Sequence, residues 1–126
     1  MKTSELPSTL KDSPPAAKRA FMKTYESAAK LYGEGERARR TAFAALKYSF
    51  EKVGDQWKRK PRPGPSDPRA MKSTREKRLG KGTTFGGLDY YGHSKAELYE
   101  RARRLRIEGR SKMSKWQLAR AIARKQ

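Results

Sequence analysis

Residues 13–54 read SPPAAKRAFMKTYESAAKLYGEGERARRTAFAALKYSFEKVG, and the spacing of their apolar side chains decides the fold class. Ala17, Phe21, Tyr25, Ala28 and Tyr32 recur at intervals of three and four, which puts them on one helical stripe. Ser13-Pro14 is a start signal, since Ser can cap and Pro at the first helical position forfeits no needed hydrogen bond. Gly33 and Gly35 end this helix. A second helix is expected to follow, with Ala38, Ala42, Ala45, Leu46, Phe50 and Val53 on one face and Gly54 at its close. The small Ala face lets two helices approach closely, and aromatic rings supply most of the buried area. Leu6 and Leu10 upstream and Trp57 downstream have no helix of their own and are expected to fold back over the pair.

Composition limits what else the chain can build. It has 126 residues, 32 Lys plus Arg against 13 Asp plus Glu, and a formal charge of +19. Leu, Ile, Val and Phe number sixteen, about 13% of the chain, below the ~20% at which a highly charged sequence is suspected of disorder. One large core is excluded. Only Val53, Ile107 and Ile122 are β-branched aliphatics, which argues against a substantial sheet. With no Cys there is no disulfide or thiolate chemistry, and one His leaves no His pair for a metal. No run approaches the ~20 apolar residues of a membrane span. The expectation is a soluble, cytoplasmic, basic protein drawn to polyanions and without membrane insertion.

Charge and punctuation divide the chain into three. Residues 1–57 carry net +4, residues 58–87 net +8 and residues 88–126 net +7. The middle stretch has four Pro and five Gly in 30 residues and reads as a disordered basic linker. In the last stretch, Ser94-Lys95-Ala96-Glu97 and Ser114-Lys115-Trp116-Gln117 both fit the capping-box pattern, so two helices start there. The first presents Leu98, Ala102 and Leu105, the second Leu118, Ala121 and Ile122, and Ile107 plugs the space between. Met113 is placed to staple onto Leu118. The fold expected is all-α: a helical hairpin, then a helix-extended-loop-helix, joined by a disordered basic linker.

Two stretches resemble known families. Glu5-Leu6-Pro7, the stripe from Phe21 to Tyr32, and Arg37-Ala38-Arg39-Arg40-Thr41-Ala42-Phe43-Ala44-Ala45-Leu46-Lys47 through Trp57 resemble the ChaB family over residues 4–57. Phe43 stands where many members carry Trp. The resemblance implies a small helical domain and a cation-transport-regulator name, although nothing in these residues suggests ion coordination. Residues 94–126, through Ser94-Lys95-Ala96-Glu97-Leu98-Tyr99, Leu105-Arg106-Ile107-Glu108-Gly109-Arg110 and Ser111-Lys112-Met113-Ser114-Lys115-Trp116-Gln117-Leu118, resemble Rho-termination-factor N-terminal-like and SAP-like motifs. That resemblance implies nucleic-acid binding, with the loop and the second helix start facing phosphates.

The charge pattern points the same way. A helix N-terminus offers free N–H groups and the positive end of the dipole, and Arg110, Ser111, Lys112, Ser114 and Lys115 surround this one. Arg120 lies further along the same helix. Arg101, Arg103, Arg104 and Arg106 crowd the preceding helix, where like charges repel unless an anion neutralises them. Arg101 and Arg104 are the contact candidates. In the linker, Lys58, Arg59, Lys60, Arg62, Lys77, Arg78 and Lys81 form an electrostatic tether.

Other features read as structural. Trp116 is expected to pack rather than to stack on a base, and His93 to be a solvent-facing linker residue. Arg37, Arg39 and Arg40 balance against Glu34 and Glu36. Gly80-Lys81-Gly82-Thr83-Thr84 lacks the spacing and the preceding strand of a phosphate loop. Glu5, Glu51 and Asp55 show no acid–base pairing pattern, so no catalytic site, cofactor or metal is expected.

The combined reading is a non-enzymatic, nucleoid-associated nucleic-acid-binding protein of bacterial or bacteriophage origin, with duplex DNA favoured over RNA. Sequence selectivity should be low, because the chain has no Asn and no long recognition helix. The alternatives are RNA binding, or a protein-interaction regulator whose ChaB-like part docks on a protein partner.

Overall fold

The computed structural model describes residues 5–78 and 81–126, which divide into two compact units between Gly64 and Pro65. The first unit holds α1 (Ser8–Lys11), α2 (Pro15–Tyr32), α3 (Glu36–Ser49), β1 (Phe50–Val53) and β2 (Gln56–Arg59). The second holds α4 (Thr74–Arg78), α5 (Lys95–Arg104) and α6 (Lys115–Lys125), with short 3-10 turns at Pro68–Met71 and Arg110–Lys112.

Helix α2 buries Ala17, Phe21, Tyr25 and Ala28 of the expected stripe, leaves Tyr32 exposed, and ends at Gly33, whose φ is +79°. It is capped differently from expectation. Pro14 takes the N-cap and Pro15 the first helical position. Ser13 is instead buried, where its hydroxyl donates to the Thr9 carbonyl (2.5 Å) and accepts the Trp57 amide (2.8 Å). The Trp57 indole Nε1 donates to the Thr9 hydroxyl at 3.1 Å. Leu6, Leu10 and Trp57 do fold back, joining Phe21, Leu46 and Phe50 in one core. Phe43 packs against its edge, 4.9 Å from the Phe21 ring and 6.1 Å from Trp57. Burying side chains of this size stabilises by about 1.5–3 kcal/mol each.

Helix α3 does not reach Gly54, and the all-α expectation is corrected here. At Phe50 the backbone turns extended (φ −129°, ψ 153°), and β1 pairs antiparallel with β2, Phe50 opposite Arg59 and Lys52 opposite Trp57. Phe50 and Val53 continue the helical spacing, which disguises the strand. Gly54 decides the outcome: at φ +65° it occupies the first position of the two-residue loop Gly54-Asp55, the Gly-first pattern of tight hairpins. The ribbon then puts Phe50 and Trp57 on one face, both buried, where a continued helix would have carried Trp57 away from Thr9 and Ser13. Arg59 lies over the Phe50 ring at 4.8 Å. Ala45, expected on the buried face, is exposed.

The second unit begins inside the stretch read as disordered linker, so that expectation also fails. Asp67 is buried and accepts from the Ala70 amide (3.0 Å) and the Thr84 hydroxyl (2.9 Å). Arg69 donates its amide to Thr83 O (3.2 Å) and its Nε to Gly82 O (3.0 Å). Phe85 and Leu88 enter the core formed by Leu98, Ala102, Ile107, Leu118, Ala119 and Ile122. Gly82 is required where the two strands of chain meet, because a Cβ there would sit 2.7 Å from the Arg69 Cα. That contact accounts for the glycine at position 82.

Both capping boxes form as expected. Ser94 accepts from the Glu97 amide (3.2 Å) while Glu97 accepts from the Ser94 amide (3.1 Å), and Ser114 and Gln117 reciprocate likewise. Met113 packs against the core that contains Leu118.

Two predictions follow from these polar ties. Ser13→Ala leaves the buried Trp57 amide without its acceptor and should cost about 1–3 kcal/mol in denaturant unfolding of the first unit. An unchanged midpoint would show the tie to be dispensable. In the second unit the Glu97 carboxyl is held below its ordinary range, first by the Ser94 amide and then by His93. Its stabilisation is therefore present above the unfolded carboxylate range and is lost as pH falls through the depressed folded value. Circular dichroism should show helix lost on acidification, and Glu97→Gln should blunt that loss; an identical acid profile would contradict it.

Candidate nucleic-acid interface

The connection from α5 to α6 is shaped by backbone hydrogen bonds. Arg106 donates its amide to Arg103 O and Ile107 donates to Ala102 O, both at 3.0 Å, closing α5 in a Schellman motif. The motif requires a left-handed residue at position 106, and Arg106 has φ +56°, the one non-Gly residue with positive φ among the described residues. Ile107 then turns into the core, as the sequence suggests. Gly109 (φ +76°) starts the 3-10 turn Arg110–Lys112, and Ser114 caps α6. The box uses the Ser114 and Gln117 amides, while helix geometry leaves those of Lys115 and Trp116 without an intrahelical acceptor.

The cations nominated from sequence separate into two groups. Arg104, Ser111, Lys112, Ser114 and Arg120 are exposed, and Arg106, which was not nominated, is exposed with them. Lys115 is half-buried, its ammonium 4.4 Å from the centroid of the Tyr90 ring. Arg110 turns back onto its own unit: Nη1 donates to Ile107 O (3.1 Å), the guanidinium stands over the Tyr99 ring at 5.9 Å, and Nε is buried without a partner. Arg101 also points inward, donating from Nη2 to His93 Nε2 at 2.9 Å.

His93 is thus not a solvent-facing linker residue. It is 8% exposed and bridges α5, with Nδ1 3.1 Å from the Glu97 carboxylate. Since Arg101 only donates, Nε2 accepts and Nδ1 carries the proton to Glu97. Arg103 pairs with Glu100, and Arg104 Nε lies 3.9 Å from the same carboxylate. The pairing holds the Glu100 carboxyl below, and the Arg103 guanidinium above, their ordinary ranges.

The expected linker cations are shared between the units. Lys58 and Arg59 lie on β2, exposed, and Arg62 is exposed just beyond. Lys60 is 4% exposed, its Nζ donating to Lys47 O (3.2 Å) and Gly64 O (2.6 Å), so it belongs to the fold and not to a tether. Lys77 and Lys81 are exposed on the second unit. The Arg78 side chain lies outside the described residues. In the first unit, Arg39 pairs with Glu36 at 3.8 Å, one of the acid–base pairings the charge pattern suggests, while Arg37 stacks on Tyr32 at 3.7 Å.

Sequence reading missed an aromatic cluster in the second unit. Phe85 stacks on Tyr90 (5.0 Å, 25°), Trp116 meets both edge-on (4.9 and 5.4 Å), and Tyr91 meets Tyr90 at 5.7 Å. Trp116 takes the packing role expected of it. The adjacent pair Tyr90-Tyr91 was the available signal. Among the described residues no cluster of His, Asp or Glu is fit to hold a metal, and no helix is long and apolar enough to cross a membrane.

Arg106 pays a conformational cost that Gly would not. Arg106→Gly should raise the stability of the second unit by about 0.5–1 kcal/mol in denaturant titrations, net of the lost charge at the helix C-terminus. A destabilised variant would mean the side chain holds the connection together.

Comparison with known proteins bears on the first unit. The family model described as ChaB matches residues 6–60, in keeping with the resemblance read from the sequence and compatible with a cation-transport-regulator role. No curated protein and no solved structure matches the chain. The family match therefore covers α1 through β2 and stops short of the second unit.

Proposed function

We propose that the chain is a non-enzymatic nucleic-acid-binding protein that holds duplex DNA with low sequence selectivity, using the α5–α6 connection of its second unit. The observation that carries this reading is the local arrangement around the start of α6. Exposed Lys112 and half-exposed Lys115 flank the two amides left without an intrahelical acceptor, and exposed Arg106 lies on the same connection. Cations beside free backbone N–H groups suit phosphate oxygens, and phosphate contacts position a protein without selecting bases. The remaining charge of the chain, at +19 overall, adds long-range attraction.

A second reading rests on the ChaB match. Under it the first unit docks on a protein partner, as a regulator of the cation-transport type would, and attraction to nucleic acid is a by-product of charge.

One comparison separates the two. Binding of the full chain to a random-sequence duplex is followed by fluorescence anisotropy across a salt series. Wild type is set beside the triple variant Arg106→Gly, Lys112→Ala, Lys115→Ala, and beside Lys11→Ala, Lys23→Ala, Lys30→Ala, which removes three exposed charges from the first unit. If ~6–10 phosphates are engaged, wild-type affinity falls about 10³–10⁵-fold between low and moderate salt. The first triple should shallow the salt slope by about three, and the second by much less. Equal losses from both triples would reduce the charge to a general tether and favour the partner reading.

A further inference from the structure

We infer that Tyr91 is a stacking site for an unpaired nucleic-acid base, so that the second unit prefers duplex carrying a single-stranded extension over blunt duplex. The inference deepens the nucleic-acid reading above and rests on it.

Tyr91 is 50% exposed, although its backbone is hydrogen-bonded to a buried segment of the unit. Its amide donates to Ser66 O at 3.1 Å, and Ser66 is itself buried. The flanking turn is fixed by Asp89, which is 2% exposed and accepts the Gly92 amide at 3.1 Å. The fit at Gly92 is close enough that any Cβ there would fall 1.8 Å from an Asp89 carboxylate oxygen. Leu88, just before the turn, is fully buried. The chain thus anchors both sides of an aromatic residue and leaves the ring itself in water.

Its neighbour has no such ring to offer. Tyr90 is covered by Phe85 stacked on it, by Trp116 at its edge and by the Lys115 ammonium 4.4 Å from its centroid. Tyr91 meets the edge of that assembly at 66° and so is backed by a packed aromatic wall. Lys115, one ring away, is also a member of the phosphate-binding group at the start of α6. A half-exposed ring on a hydrogen-bonded backbone, one ring away from a cation, matches the stacking platforms on which single strands lie, where aromatic faces take bases and cations follow the backbone. Little ordering cost falls on Tyr91, because its backbone is already fixed. A base within a duplex has both faces occupied by its neighbours, so the occupant must be unpaired.

The test uses the full chain and three labelled ligands: a blunt duplex, the same duplex with a short single-stranded tail, and one whose tail is abasic. Stacking of one base should make the tailed duplex bind about 5- to 150-fold tighter than the blunt one. The abasic tail should give no more than the added phosphates explain. Tyr91→Ala should abolish the preference for the base-bearing tail and leave blunt-duplex affinity unchanged, while Tyr91→Phe keeps the preference; circular dichroism confirms that both variants remain folded. Equal affinity for the tailed and abasic ligands, or a preference that survives in Tyr91→Ala, overturns the stacking site. If blunt duplex still binds with a steep salt dependence in that case, the phosphate-binding reading stands. Failure to bind any ligand at low salt overturns both.

Discussion

Sixteen large aliphatic and Phe side chains must hold 126 residues together against a charge of +19, and most features of both units follow from that shortage. Neither core is large enough to depend on apolar burial alone. Each is reinforced by polar groups taken out of water and satisfied there. Ser13 and Lys60 do this in the first unit, and Asp67, Asp89 and His93 in the second. Every one of them bonds to backbone or to a neighbouring side chain, the condition under which burying a polar group does not destabilise. The cost is specificity of position, because such groups tolerate little change in the chain around them. Gly92 is constrained in this way by the Asp89 carboxylate.

How much of this was legible in the sequence depended on the range of each interaction. The α2 stripe, the stop at Gly33 and both capping boxes are set within a few residues, and they stand where periodicity and capping chemistry put them. The hairpin after α3 was hidden because Phe50 and Val53 keep helical spacing, and the deciding contact is between Trp57 and residues at the other end of the unit. The folded portion of residues 65–87 was hidden for a related reason. Its order comes from backbone hydrogen bonds and from Asp67, and neither leaves a mark on composition. In the candidate interface, Lys112 and Ser111 were recognisable as exposed polar residues beside a helix start. The inward turn of Arg101, Arg110 and Lys60 was not, since a long cationic side chain has several acceptors within reach and only the tertiary fold chooses among them.

The two units differ in what they present. The first has a family match, an Arg39–Glu36 ion pair, Arg37 stacked on Tyr32, and a core closed by aromatic residues. The second lies outside that match and has exposed Lys112, helix amides without an intrahelical acceptor and the aromatic cluster of Phe85, Tyr90, Tyr91 and Trp116 near one helix start. On the reading proposed above, such a chain would join a polyanion to a partner of the first unit, and joining modules raises effective concentration without new contacts.

The hydrogen bond between Ser13 and Trp57 also sets an order of events. Its partners are 44 residues apart, and the Thr9–Trp57 bond spans 48. During synthesis α2 and α3 can pair as soon as they emerge, because their contacts are local. Until β2 has left the ribosome, Ser13 and Thr9 lack their Trp57 partners and Leu6 and Leu10 lack the part of their core that Trp57 supplies. For that interval the first unit is a hairpin with one side of its core open to water. The last strand of the unit therefore acts as the latch that ends its exposure to aggregation and proteolysis.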